Sequence, residues 1–364
     1  MTVSLASPLQ LGSISLKNRF VLASLTRNRG YIPDDLNAEY YRQRAGAGLL
    51  LTECTAVEPM GSEQIDGWKK VTDAVHGEGS IIFVQLWHAG RLAHPALHSG
   101  QPNVGPSAVG AKGGKFRQLP GYVTPETIDD PQYYIDLYRV AAQNVKRAGF
   151  DGVEIHSASG FLPHQFIDST ANQRTDKVVR CDANLWGGSN ENRARFPFEA
   201  VKAAIEGFGD ASRVAIKLAP SGGWNDMGDP EDVMVPTYSH LLTELDKLNL
   251  AYIQLVRHVP VFDFTHRGTP LDLLKHLRPL VKNTRFLLNG DLSSTEAADL
   301  VASGTIDAAV FGRPFVANPD FPHRVMNELP LAPLNFATIY PSPVNWDAND
   351  TWAKGYTDYP AYEA

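Results

Sequence analysis

The residues of this chain that could do chemistry are polar groups and glycines released at the ends of short apolar runs. The densest release lies in the stretch 152–166, where the run 153–155 gives way to His156, Ser157, Ser159, His164 and Gln165. Other runs end in Ser24, Thr26 and Arg27, in Glu53 and Cys54, in Gln85 and Trp87, in Lys217, in Gln254 and Arg257, in Gly290 and Asp291, and in Gly312 and Arg313. Thr26, Gln85 and Lys217 offer donors suited to a planar, hydrogen-bonding ligand. Gly290 and Gly312 stand on consecutive runs, where glycine lets backbone N–H groups approach an anion. Arg313 adds charge-assisted hydrogen bonds, so the set suits a phosphate. Each reading has an ordinary rival. His156 also fits a satisfied core histidine, and single glycines are default turn residues. Only a fold that gathers these run ends into one place decides for chemistry.

The strand–helix rhythm supplies such a fold. Apolar runs at 20–23, 49–52, 80–86, 153–155, 213–218, 251–256, 285–290 and 307–312 read as eight strands. Segments 37–44, 65–76, 131–148, 192–204, 238–248, 271–281 and 294–303 read as helices. In 131–148, Tyr134, Leu137, Tyr138, Ala141, Val145 and Ala148 fall on one helical face. Ser293 or Ser294 caps the last helix, with Glu296 in its first turn. Eight β–α units favour a closed (β/α)8 barrel over an open doubly wound sheet. No G-x-G-x-x-G motif links the first strand to the first helix, which removes the main support for a dinucleotide-binding sheet. No Pro/Gly/Ser linker divides the chain, so 1–364 is expected to be a single barrel domain. Alternating residues around Gly12-Ser13 predict an N-terminal β-hairpin able to plug the bottom of the barrel. The Gly- and Pro-rich segment 91–122 is expected to be an elaborated loop on the active face.

Composition excludes several classes. At 43% hydrophobic and 20% charged the chain is globular rather than disordered. A net charge of −7 without a basic run argues against nucleic acid. No apolar stretch is long enough to span a bilayer, and the first residues do not read as a signal peptide. The two cysteines, Cys54 and Cys181, match no metal or redox spacing. Reduced thiols and a cytoplasmic location are the expectation, with no metal and a monomer or homodimer as the assembly.

The motifs along the chain resemble those of the Old Yellow Enzyme family of flavin-dependent ene-reductases. They include Lys17-Asn18-Arg19, Leu25-Thr26-Arg27, Val84-Gln85-Leu86-Trp87-His88, Gly105-Pro106-Ser107-Ala108, Asn172-Gln173-Arg174-Thr175-Asp176 and Gly187-Gly188-Ser189. Glu191-Asn192-Arg193, Phe311-Gly312-Arg313-Pro314 and Gly355-Tyr356-Thr357-Asp358 continue the series over the whole chain. The resemblance implies a (β/α)8 barrel that holds FMN at its C-terminal mouth. NADPH would be the reductant, and the alkene of an α,β-unsaturated carbonyl compound the hydride acceptor. It implies cofactor contacts from Ser24, Thr26, Cys54, Gln85 and Lys217. Gly290, Asp291, Gly312 and Arg313 would serve the phosphate. His156 would bind the substrate carbonyl, and Thr26 would tune the flavin. Lys217 stands where the family usually has arginine; it keeps the cation without the bidentate fork.

The departures gather on the substrate side. The family clamp pairs histidine with asparagine or a second histidine, whereas here His156 is followed by Ser159. The family's proton donor is a tyrosine, and its position is Phe161, which has no proton to give. The segments 55–62 and 350–354 are shortened, and 177–185 looks inserted. Loss of a general acid slows net reduction, and water, Ser159 or His164 are the remaining donors. A redox-neutral double-bond isomerase on the same scaffold, and a barrel that binds a carbonyl ligand without turnover, are the alternatives.

Overall fold

The computed structural model describes residues 3–58, 60–112, 121–175, 185–341 and 352–362. An antiparallel hairpin of β1 (Leu9–Leu11) and β2 (Ile14–Leu16) opens the chain. The strands β3 (Phe20–Leu22), β4 (Leu49–Ala56) and β5 (Ile81–Trp87) follow. The long loop after β5 carries a short parallel pair, β6 (Val104–Gly105) and β7 (Glu126–Thr127). Then come β8 (Gly152–Ser157), β9 (Val214–Leu218), β10 (Tyr252–Val256), β11 (Arg285–Asn289) and β12 (Ala308–Phe311). β3, β4, β5 and β8 to β12 pair in parallel, and β12 closes on β3. The expected barrel with its eight strands is the observed one.

Helices sheathe the ring: α1 (Asp35–Gln43), α2 (Ser62–Gly77), α3 (Pro131–Arg147), α4 (Leu162–Ile167) and α5 (Asn190–Phe208) in the first half. The second half carries α6 (Glu231–Asp246), α7 (Leu273–His276), α8 (Ser294–Ala302), α9 (Arg313–Ala317) and α10 (Phe321–Met326). Local signals account for the ends. Ser293 accepts from the N–H of Glu296 at 3.1 Å and so caps α8. Where helix 271–281 was expected, only Leu273–His276 is α-helical, and Arg278–Leu280 forms a 3-10 turn. Pro279 has no N–H to continue the ladder. α6 begins earlier than expected and keeps Pro236 inside it, at the cost of one backbone bond. β4 outruns its apolar segment through Glu53 and Thr55, with a register shift between Leu51 and Cys54.

Because side chains alternate along a strand, the barrel has two cores. The outer one lies between strands and helices. The inner one stacks Val21, Leu49, Leu51, Phe83, Ala215, Tyr252, Leu287 and Val310 on the hairpin residues Leu9, Leu11, Ile14 and Leu16. The hairpin therefore plugs the lower mouth, as its alternation predicted, and side chains fill the barrel floor.

Candidate active site at the C-terminal mouth

One inward position above that apolar layer the barrel lining becomes polar. Phe83 gives way to Gln85, Gly152 to Glu154, Ala215 to Lys217, Tyr252 to Gln254 and Leu287 to Asn289. Gln85 lies opposite Glu154, and Lys217 lies between His156 and Gln254 in the strand register. Both carboxylate oxygens of Glu154 are used: Gln85 Nε2 and Gln254 Nε2 each donate at 2.5 Å. Asn289 Nδ2 donates to Gln254 Oε1 at 3.0 Å, and the Cys54 thiol donates to Gln85 Oε1 at 3.1 Å. A continuous polar chain thus crosses the lumen from β4 to β11. Burial raises the Glu154 carboxyl above its ordinary range, while Lys217 and the amide hydrogen bonds oppose the shift. Ser24 Oγ stands 3.9 Å from Cys54 Sγ, and Thr26 also hydrogen-bonds that thiol. Burial pushes the Cys54 thiol up, so it stays protonated. Cys54 is free, and Cys181 lies outside the described residues.

His156 follows Glu154 on the same inward row. It is buried, and its Nδ1 has no hydrogen-bond partner. Burial, with Lys217 and His164 adding repulsion, holds it well below the usual histidine range, so it is neutral near pH 7. Phe161 meets it edge-on at 4.6 Å between ring centres and meets Trp87 likewise at 4.7 Å. Ser159 is partly exposed in the left-handed region, at φ 54°. Its carbonyl accepts from Asn225 Nδ2 at 2.7 Å, and Asn225 Oδ1 accepts from the Tyr122 hydroxyl at 3.1 Å. Arg91 donates to the Asp226 carbonyl at 3.2 Å, and the Lys112 N–H to the Asp226 carboxylate at 3.0 Å. The elaborated loop after β5 thus lies on the mouth side, as expected.

His164 is removed from the list of proton donors. Its Nδ1 accepts from the Gly160 N–H at 3.1 Å, and burial lowers its pKa to about 4. It is a neutral peg under the turn that carries Ser159 and Phe161. Gln165 Nε2 supports the same turn through the Gly160 carbonyl at 2.7 Å.

The third group lies beyond β11 and β12. Gly290 has φ 124°, and a Cβ there would stand 2.5 Å from Arg257 Cγ, so the turn needs glycine. Arg257 grips this turn through the Gly290 carbonyl at 2.5 Å and pairs with Glu296. Arg313 pairs with the Asp291 carboxylate, and its guanidinium lies 5.9 Å from the Phe262 ring centre. At Gly312, which precedes α9, a Cβ would meet Leu25 Cδ2 only at 3.4 Å. Glycine there keeps the wall before α9 free of a side chain, which suits the close approach of an anion. Asn289 links this group to the polar layer, since it precedes Gly290 and bonds Gln254. The sequence singled out the run-end residues but not Glu154, Asn225, Asp226, Phe262 or Asn289. Their inward register and long-range contacts have no local signature. The inserted segment lies outside the described residues apart from Leu185, and so do Asp350 and Thr351.

Polar run ends gathered at the top of a closed parallel barrel, beside a glycine and arginine turn, define a protein that binds a flat polar ring with an anionic tail. The Gln85 carbonyl and the Lys217 ammonium suit the polar edge of a flavin ring, Gly312 with Arg313 suits its phosphate, and the unpartnered nitrogen of His156 is left for a second ligand. Residues 4–332 match the NADH:flavin oxidoreductase / NADH oxidase family. A probable flavin mononucleotide-dependent alkene reductase of Leishmania infantum is 35% identical, covering 97% of this chain and 96% of that protein. A probable inactive reductase of Epichloe festucae var. lolii is 36% identical, covering 100% and 96%. The solved structure of morphinone reductase superposes with a TM-score of 0.87 at 36% identity, covering 100% of this chain and 97% of that one. The chain belongs to this family, the Old Yellow Enzyme group that its motifs resemble, and is an FMN-dependent oxidoreductase. Among the described residues no helix is long and apolar enough to cross a membrane.

Proposed function

We propose that this enzyme transfers hydride, drawn from NADPH, to the alkene of an α,β-unsaturated carbonyl compound. FMN supplies the hydride relay when bound. Gln85 and Lys217 hold the pyrimidine edge of its ring, where a cation favours the anionic reduced form. Ser24, Thr26 and Cys54 line the adjoining wall. Gly290, Asp291, Gly312 and Arg313 hold the phosphate, and Arg313 turns from Asp291 to reach it. His156 carries the reading: a neutral imidazole, one nitrogen buried without a partner, beside the polar layer and against Phe161. Its N–H polarises the substrate carbonyl as an oxyanion-type donor. Ser159 stands at the second clamp position, and its carbonyl is already spent on Asn225.

A second reading has its own observation. Phe161 has no proton to give and His164 is a neutral, hydrogen-bonded peg, so protonation of the substrate α-carbon is left to water or to the weakly acidic Ser159 hydroxyl and is slow. A substrate whose enolate rotates about its Cα–Cβ single bond and then returns the hydride leaves with the geometry of its double bond inverted, and the barrel acts as a redox-neutral isomerase. The 36% identical relative named as a probable inactive reductase fits a family in which net reduction is not universal.

The test is NADPH consumption with cyclohexenone by the wild-type protein and by Phe161→Tyr. General acid catalysis contributes roughly 10²–10⁴-fold, so the variant is expected to reduce the enone at least tenfold faster. No gain would mean that the proton comes from elsewhere. With the physiological substrate, product formed without net NADPH loss would select the isomerase.

A further inference from the structure

Three groups of the polar layer are not employed by the reading above, Glu154, Gln254 and Asn289, and of these only Glu154 can carry a charge. It has no exposure, sits at the centre of the chain of hydrogen bonds, and has both oxygens occupied by N–H donors. A protonated acid would turn a hydroxyl toward one of those amides, so two amide N–H donors suit the carboxylate. Each amide is also held at its other end, Gln85 by the Cys54 thiol and Gln254 by Asn289. The nearest opposing charge is Lys217, on the neighbouring strand one inward position higher. Two consequences follow from elementary electrostatics. Gln85 must keep its Nε2 toward Glu154 and its carbonyl toward the Cys54 side, the polarity that accepts an imide N–H. Glu154 also offsets the positive charge that Lys217 presents at the ring edge.

We propose that Glu154 is a positioning residue for the cofactor. It fixes the amide polarity of Gln85 and tempers the charge of Lys217, and thereby sets the reduction potential of the bound flavin. This rests on the placement of the pyrimidine edge at Gln85 and Lys217. Removing the anion leaves Lys217 unopposed and favours the reduced, anionic ring.

The experiment is an anaerobic potentiometric titration of the FMN-loaded protein. Glu154→Gln is expected to move the oxidised–reduced equilibrium at least tenfold toward reduced, about 30 mV for a two-electron couple. Glu154→Asp keeps the charge but cannot span both amides; its potential should stay within threefold of wild type in that equilibrium while FMN binds more weakly. Gln254→Met takes one donor from the carboxylate without touching the acid. It should move the equilibrium the same way as Glu154→Gln by a smaller factor, and it carries the test if Glu154→Gln does not fold. Glu154→Gln, folded and yellow, with an unmoved potential overturns the proposal. Lys217→Met should move the equilibrium tenfold in the opposite direction. If it does not, the placement of Lys217 at the flavin fails and the role of Glu154 falls with it, whereas a normal Lys217→Met response beside a silent Glu154→Gln leaves the placement standing.

Discussion

His164 illustrates how one side chain can be read correctly by type and wrongly by task. A histidine close behind Phe161 invites the role of proton donor, but its Nδ1 is bound to the Gly160 N–H and its pKa lies at about 4. Burial is the main cause; Asp168 opposes it and Arg91 adds to it. A depressed histidine stabilises the fold above its ordinary value of 6.5 and loses that contribution as pH falls toward about 4, because the unfolded chain takes up a proton that the folded one refuses. Asp229 acts in the opposite sense. Raised to about 6, chiefly by burial and then by Asp168, it contributes fully below its ordinary 3.8, and that contribution is lost as pH rises through about 6. The difference between wild type and His164→Asn cancels the Asp229 part, and asparagine can still accept from Gly160. Between pH 7.5 and 5 urea unfolding should show that difference shifting by about 2 kcal/mol against the wild type. A difference that does not change with pH would place the proton on His164 in both states. His156 and the glycines were legible because each ends an apolar run, and Phe161 because it stands where the resembled family has tyrosine. Glu154 was not, since one acid inside a strand shows its partners only when the register is known.

At the scale of elements, the segment 219–230 after β9 does work that no local pattern announces. Its Asn225 holds the Ser159 carbonyl with one end of the amide and takes the Tyr122 hydroxyl with the other. Two loops remote in sequence thereby fix the turn that presents His156, Ser159 and Phe161. Asn225 has φ 53°, which glycine tolerates, so Asn225→Gly removes the latch without straining the backbone. Of the two hydrogen bonds lost, the one to the Ser159 carbonyl holds the turn directly, and about 1 kcal/mol for it predicts a KM for enone about fivefold higher, with FMN affinity unchanged. A KM that stays put would show the turn to be self-supporting. The strands were legible because their apolar runs are short and bounded. The ends were not: the bulge in β4 depends on pairing with β5, and α6 starts at Glu231, ahead of Pro236, where a proline reads as a stop.

For the molecule as a whole, many motifs that mark the family turn out to be ties between distant segments. Tyr356 stacks on Tyr40 with ring centres 4.1 Å apart, and Arg44 packs on the Tyr40 ring at 3.7 Å. Arg44 is fully buried and donates to the carbonyls of Phe315 and Val316 in α9, both at 3.0 Å, and to that of Tyr356 at 3.3 Å. Arg27 reaches the Gly355 carbonyl at 2.5 Å, and Arg174 reaches Ile128 at 2.8 Å. One guanidinium thus joins α1, the C-terminal motif and the helix led by Arg313. Arg44→Met leaves these carbonyls without their donor and should cost about 3 kcal/mol or more. Thermal unfolding followed by flavin fluorescence should show FMN released at a lower temperature than in the wild type. A melting curve that does not move would mean that water replaces the guanidinium.

The hairpin beneath the barrel has a kinetic corollary. With Leu9, Leu11, Ile14 and Leu16 corking the floor, the proposed function brings reductant and acceptor to the ring through the opposite mouth. On that reading two visitors compete for one threshold, and an excess of either one is expected to delay the other.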